Sequence, residues 1–157
     1  TRHVVRAVEE LRAEGLDIDL VMVERVPNEE VRRLILDADV VVDQLIIGWY
    51  AMFAIEAMAS AKPVICHLRH DLEALYVATE LLESFEEIPI IRADVFTFKD
   101  VIRRLYADRS LLTTAANRGR SYVERHHSVE AISLAFSKIF AKLIGPPEGN
   151  GHERAEK

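Results

Sequence analysis

Cysteine is nearly absent from this chain, with Cys66 alone among 157 residues. One thiol cannot close an internal disulfide, so packing must hold the fold, and the sparse usage fits a reducing cytoplasm. Tryptophan is as scarce, with Trp49 alone, and glycine occupies six positions. No apolar run approaches the roughly 18–20 residues of a membrane span, which excludes a transmembrane helix of that kind. A basic excess is missing too: 20 Lys and Arg stand against 26 Asp and Glu, a formal charge of −6. General affinity for nucleic acid is thereby disfavoured. What is present is a chain half hydrophobic and 29% charged, the balance of one globular domain with a sizeable core.

The chain opens at Thr1 and enters a helical pattern at once, with no signal peptide, so it reads as a piece of a longer protein. Residues 1–144 are the expected domain. Residues 145–157 begin Gly145-Pro146-Pro147-Glu148-Gly149-Asn150-Gly151, offer nothing to bury, and are expected to be a disordered tail.

Val4, Val5, Val8 and Leu11, with charges between them, predict an amphipathic helix ended by Gly15. Asp17 to Glu24 turns apolar and predicts a strand buried on both faces from Leu20 onward. Pro27 or Asn28 caps the next helix, whose inner face is Val31, Leu34 and Ile35. Asp39 to Asp43 predicts a second strand, residues 50–60 a helix with Met52, Ile55 and Ala59 inward, and Lys62 to Cys66 a third strand. Residues 71–83 read as a helix and Ile88 to Ile91 as a fourth strand, its Pro89 at the entrance where a missing donor is tolerated. Helices follow from Phe98, over 111–125 and over 128–143. Strands alternating with helices predict an α/β, Rossmann-like parallel sheet with helices on both faces. Ligands of such sheets bind beyond the carboxyl ends of the strands.

The loop after the second strand carries most information: Asp43-Gln44-Leu45-Ile46-Ile47-Gly48-Trp49-Tyr50-Ala51-Met52, leading into Phe53-Ala54-Ile55-Glu56-Ala57-Met58-Ala59. Gly48 permits an unusual backbone angle, and the free amides around Trp49 to Met52 suit a phosphate or another anion. Glu56 lies two turns into an apolar helix, where an unpaired carboxylate is costly. It is suited to accept hydrogen bonds from vicinal hydroxyls such as a ribose offers. The alternative is a solvent-facing Glu56 paired with Lys62, and helical spacing does not decide between them.

These residues, with Ala38-Asp39-Val40-Val41-Val42 before them and Ser60-Ala61-Lys62-Pro63-Val64 after, resemble the C-terminal, donor-binding half of a GT-B glycosyltransferase. The likeness is to the group 1, family 4-like retaining enzymes and extends to about Leu143, through Pro89-Ile90-Ile91 and Gly119 to His127. It implies transfer of a sugar from a nucleotide-diphosphate sugar to an acceptor with retention, independently of a metal, and no cofactor besides that donor. In that family two glutamates eight positions apart bracket the loop; those positions are here Gly48 and Glu56. Glu56 would then bond the ribose, and the amides of Trp49, Tyr50, Ala51 and Met52 would hold the diphosphate. Gly48 offers no carboxylate for the sugar, and whether Asp43 or Gln44 takes over that contact is open. The resemblance also implies that the family's first strand and its acceptor-binding N-terminal half lie outside this sequence. This piece alone would be inactive, and the missing half would meet the acceptor. A cytoplasmic location is expected, peripheral to a membrane if the acceptor is lipid-borne. No catalytic residue and no metal ligand is assigned.

Other candidates are weaker. Cys66, His67, His70 and Asp71 lack metal-ligand spacing. Arg69, at a strand end, suits a phosphate. His126-His127 suit the negative end of a helix, and Glu83, Glu86 and Glu87 read as a surface turn. A sugar-nucleotide epimerase and a non-catalytic, receiver-like α/β ligand-binding domain remain as alternatives.

Overall fold

The computed structural model describes residues 2–144; the expected tail at 145–157 lies outside the described residues. Three strands form a wholly parallel sheet in the order β1-β2-β3: β1 Val41–Val42, β2 Val64–Cys66 and β3 Ile91–Arg92. Val41 is paired with Val64, and Ile65 with Ile91. Helices cover both faces, as the alternating pattern predicts. They are α1 Arg2–Ala13, α2 Asn28–Asp37, α3 Met52–Ala59, α4 His70–Ala78, α5 Phe98–Ala107, α6 Ser110–His126 and α7 Val129–Ile144.

Alternation along the central strand divides the core in two. Ile65 faces Leu11 of α1 and Phe98, Ile102 and Leu105 of α5. Val64 and Cys66 face the other way, toward Ile35 of α2, Ala57 and Met58 of α3, and Tyr122 and Val123 of α6. All three β2 side chains are fully buried, which is why this strand is apolar on both faces.

Four departures from the sequence reading have physical causes. The stretch from Leu20 to Glu24 forms no strand, and Val21 and Met22 are 62% and 45% exposed. A strand exists only through a ladder with a neighbour, and β1 pairs with β2 alone among the described residues. The helix predicted over 71–83 stops at Ala78: Glu80 has φ +59°, and the amides of Leu81 and Leu82 both return to the Tyr76 carbonyl, turning Leu82 into the core. Pro89, which has no N–H to give a ladder, delays β3 to Ile91. The inward face of α3 is Ala54, Ala57 and Met58, not Met52, which is 64% exposed.

That last rotation follows from the contact with α6. Gly119 lies so close to α3 that a Cβ there would meet Met58 Cγ at 3.1 Å and Cβ at 3.4 Å. Small residues on α3 and Gly119 on α6 let the helices approach. Gly119→Val is therefore expected to cost about 1–3 kcal/mol by overpacking, read as a lowered Tm, whereas the exposed Arg118→Val is expected to cost less. Near the chain's end, α7 has no buried residue, and Leu134, Phe136, Ile139 and Phe140 are all more than half exposed.

Candidate functional site

The carboxyl ends of β1 and β2 open into two loops that are stitched together. The His67 amide donates to the Gln44 carbonyl at 2.8 Å, and the Arg69 amide to the Gly48 carbonyl at 2.8 Å. The loop after β1 is thus one more step of the parallel pairing, carried past the strand end without regular ladder geometry.

Gln44 shapes that loop. Its Oε1 accepts the amides of Ile46, Ile47 and Gly48 at 2.9, 2.7 and 3.3 Å. Its Nε2 donates to the Trp49 carbonyl at 2.7 Å, the His67 carbonyl at 3.1 Å and Cys66 Sγ at 3.1 Å. Both ends of the carboxamide are spent on the loop itself. The chain turns around this one side chain, and Gly48 completes the turn at φ +100°. A Cβ at Gly48 would also overlap Cγ and Cδ of Arg69, whose stem lies across it. The guanidinium of Arg69 is ion-paired with Asp71 at 2.5 Å. Gly48 is therefore required twice, by its backbone angle and by the arginine above it.

Asp43 lies at the head of α3. Its Oδ2 accepts the Ala51 amide at 3.2 Å, and the Cys66 thiol lies at 3.9 Å. Burial pushes the Asp43 carboxyl above the usual carboxylate range, with the Ala51 amide and the thiol pulling the other way. The same burial, with Asp43 beside it, raises Cys66 to about 11. Such a thiol is neutral and inert near neutral pH.

Of the four amides expected to hold a diphosphate, that of Ala51 is taken by Asp43. Those of Trp49, Tyr50 and Met52 have no acceptor among the described residues. Met52 and Phe53 open α3, whose first turn has no intrahelical acceptor for its N–H groups, and the cap residue Ala51 supplies no side-chain one. Because α3 opens at Met52, Glu56 sits one turn in and not two; it is half-buried, and its carboxylate makes neither a hydrogen bond nor an ion pair among the described residues. The alternative partner, Lys62, does not pair with it.

The two aromatic residues of the loop differ in role. Trp49 is half-buried and stacks on Tyr50 and Tyr76, with ring centroids at 5.4 and 4.5 Å. Tyr50 is turned into the core, where its hydroxyl meets that of Tyr122 at 2.8 Å and Nε2 of His127 at 3.2 Å. The Tyr50 ring supports the loop from below, and only its backbone remains for a ligand.

Two polar contacts were not visible in the sequence. Glu73 of α4 is 1% exposed and held by Arg92 of β3 at 2.5 Å. Glu87, placed in a surface turn by its neighbours, has a side chain only 9% exposed, 2.6 Å from Nε2 of His126. Arg92 follows an apolar run, and Glu73 interrupts one. That coincidence of opposite charges was the available signal. His127 caps α6 through its amide, which donates to the Val123 carbonyl at 2.8 Å.

Among the described residues no three His, Cys, Asp or Glu side chains converge as a metal-ligand set, and no helix is long and apolar enough to cross a membrane. No family model matches the sequence, and no curated protein matches it either. A solved structure does match in fold: sucrose-phosphate synthase from Thermosynechococcus elongatus, at TM-score 0.54 and 23% identity. The match covers 88% of this chain but 34% of the synthase chain, so the sequence spans about a third of its structural neighbour. At that identity the likeness is one of architecture: this chain shares a Rossmann-like α/β fold with about a third of that synthase.

Proposed function

We propose that this chain is the nucleotide-sugar-binding half of a GT-B glycosyltransferase. The observation that carries the reading is the pairing of a templated glycine turn with an unpartnered, half-buried carboxylate on the helix it opens. The turn leaves amides of Trp49, Tyr50 and Met52 unspent, and the helix places Glu56 one turn behind Met52. A diphosphate accepts from amides and a ribose donates to a carboxylate, so one nucleotide sugar could satisfy both. The fold likeness to sucrose-phosphate synthase supports the same reading.

In the intact enzyme the loop amides would stabilise the departing diphosphate as its bond to the sugar breaks, an electrostatic contribution that needs no metal. Glu56 would position the donor and transfer no proton. Gln44 is not available to the sugar, because its carboxamide is committed to the loop; Asp43 is the group that could take the contact left by Gly48. Retention, the acceptor's contact with a second half, and inactivity of this piece alone belong to the same proposal.

The test is thermal unfolding with nucleoside diphosphates and their sugars, in wild type and Glu56→Ala. A ligand at about 100 times its Kd adds about 2.7 kcal/mol, a Tm rise of roughly 5–11 °C for a domain of this size. The expected result is a rise with one nucleotide that is largely lost in Glu56→Ala. Equal rises would remove the role given to Glu56. No rise with any nucleotide would leave this chain without a donor site of its own.

A further inference from the structure

The floor of the loop is a chain of hydroxyls and imidazoles that nothing in the donor reading uses. Tyr50 belongs to the loop, yet its hydroxyl lies between Tyr122 of α6 and His127, the residue at which α6 ends and the chain turns into α7. The rings interlock edge to face: Tyr50 against Tyr122 at 6.4 Å and against His127 at 5.8 Å. We infer that neutral His127 is a positioning residue for the loop, and that its protonation releases Tyr50 and with it the turn from Gly48 to Ala51.

A neutral imidazole with its proton on Nδ1 accepts at Nε2, so Tyr122 can donate to Tyr50 and Tyr50 to His127. Every hydroxyl proton then has an acceptor. A protonated His127 must donate from Nε2 to the Tyr50 oxygen, and then, whichever tyrosine donates to the other, one of the two buried hydroxyl protons is left without an acceptor in the cluster. The groups around His127 offer the added charge no help. On α6 it faces His126 and Tyr122, and across the loop Tyr50, with Tyr76 of α4 beyond Trp49. Glu87 is engaged by His126 at 2.6 Å and by Arg125 at 3.8 Å. Glu130 is the first acid of α7. Burial, and then the neighbouring His126, hold His127 below the ordinary imidazole value of 6.5. The folded value is thus the lower one. The stability contributed by neutral His127 is complete above pH 6.5 and is lost as pH falls from there through the folded value.

Trp49 reads this out, because it is the chain's one tryptophan and stacks directly on Tyr50. Wild-type Trp49 emission, followed from about pH 8 to pH 5 with far-UV circular dichroism alongside, is expected to shift to the red in a one-proton step with a midpoint below 6.5. The backbone signal should stay constant across that step. His127→Phe is expected to abolish the step. Tyr50→Phe, which keeps the ring and removes only the hydroxyl, is expected to abolish it as well while His127 still titrates by NMR. His126→Gln should keep the step and move its midpoint upward, since a like charge is removed. A flat wild-type profile, a step that survives both His127→Phe and Tyr50→Phe, or a dichroism change at the same midpoint would each overturn the inference. If His127→Phe does not fold, Tyr50→Phe and His126→Gln decide alone: a step lost with His126→Gln assigns the proton to the wrong imidazole. None of these readouts depends on what the loop binds.

Discussion

Gln44→Leu is expected to keep the fold and lose the loop. The substitution preserves volume approximately but deletes the acceptor of three amides and the donor to two carbonyls and a thiol. Part of that loop is open to water, which can re-satisfy the amides of Ile46 and Ile47, so the bonds do not sum. A cost of about 2–4 kcal/mol is expected, seen as a Tm fall of roughly 4–16 °C. Amide exchange should rise over residues 45–50 and stay unchanged in α5, and nucleotide binding should fall with the loop. Gln44→Glu separates the two ends of the carboxamide. The introduced carboxyl can still accept from the three amides, but its second oxygen then faces the carbonyls of Trp49 and His67. Gln44→Glu is therefore expected to cost less than Gln44→Leu in Tm, because the three amides keep their acceptor and only the donor side is lost. A Gln44→Leu protein with wild-type Tm and unchanged exchange would show that Gly48 and the β2 loop hold the turn by themselves.

The contrast between Gln44 and its neighbours shows what a sequence can carry. The three buried residues of β2 announce themselves, because a strand covered on both faces is apolar at every position. Gly48 does so too, since a glycine between a strand and a helix marks a turn that needs positive φ. Gln44 does not, because two of its six partners, Cys66 of β2 and His67 just beyond it, come alongside only after the sheet has formed. Composition failed in another way at Leu20 to Glu24, which is as strand-like as β1. Pairing is a property of two segments, and one segment cannot show it. In α3, the rotation that exposes Met52 was set by Gly119, more than sixty residues away. The candidate site was legible where it depends on local backbone, in Gly48 and the amides after it. It was illegible where side chains from α6 and the β2 loop decide which groups stay free.

Arg92→Met is expected to give the largest loss of stability outside the loop. Glu73 is fully buried on the first turn of α4, and Arg92 reaches it from β3 through two nitrogens, at 2.5 and 3.0 Å. The same guanidinium donates to the Phe85 carbonyl at 2.7 Å, tying the 3-10 turn of Phe85–Glu87 to the sheet. Methionine replaces the stem and removes the charge, leaving a carboxylate in the core with no base. Breaking a buried pair from one side costs about 3–5 kcal/mol. Arg92 is itself partly exposed, with 44% of its side chain open, so the lower end of that range is expected. Removing the acid as well should return most of the loss, because the double variant Glu73→Met with Arg92→Met exchanges an ion pair for apolar contact. The measurement is a denaturation cycle of the two single variants and the double. A double variant at least 1–2 kcal/mol above Arg92→Met, by the roughly 0.5–3 kcal/mol typical of coupled neighbours, is the expected result. Strict additivity would mean that Arg92 acts through the Phe85 carbonyl and that Glu73 needs no partner. Coupling would instead show that Arg92 anchors α4, and through Tyr76 the platform on which Trp49 rests.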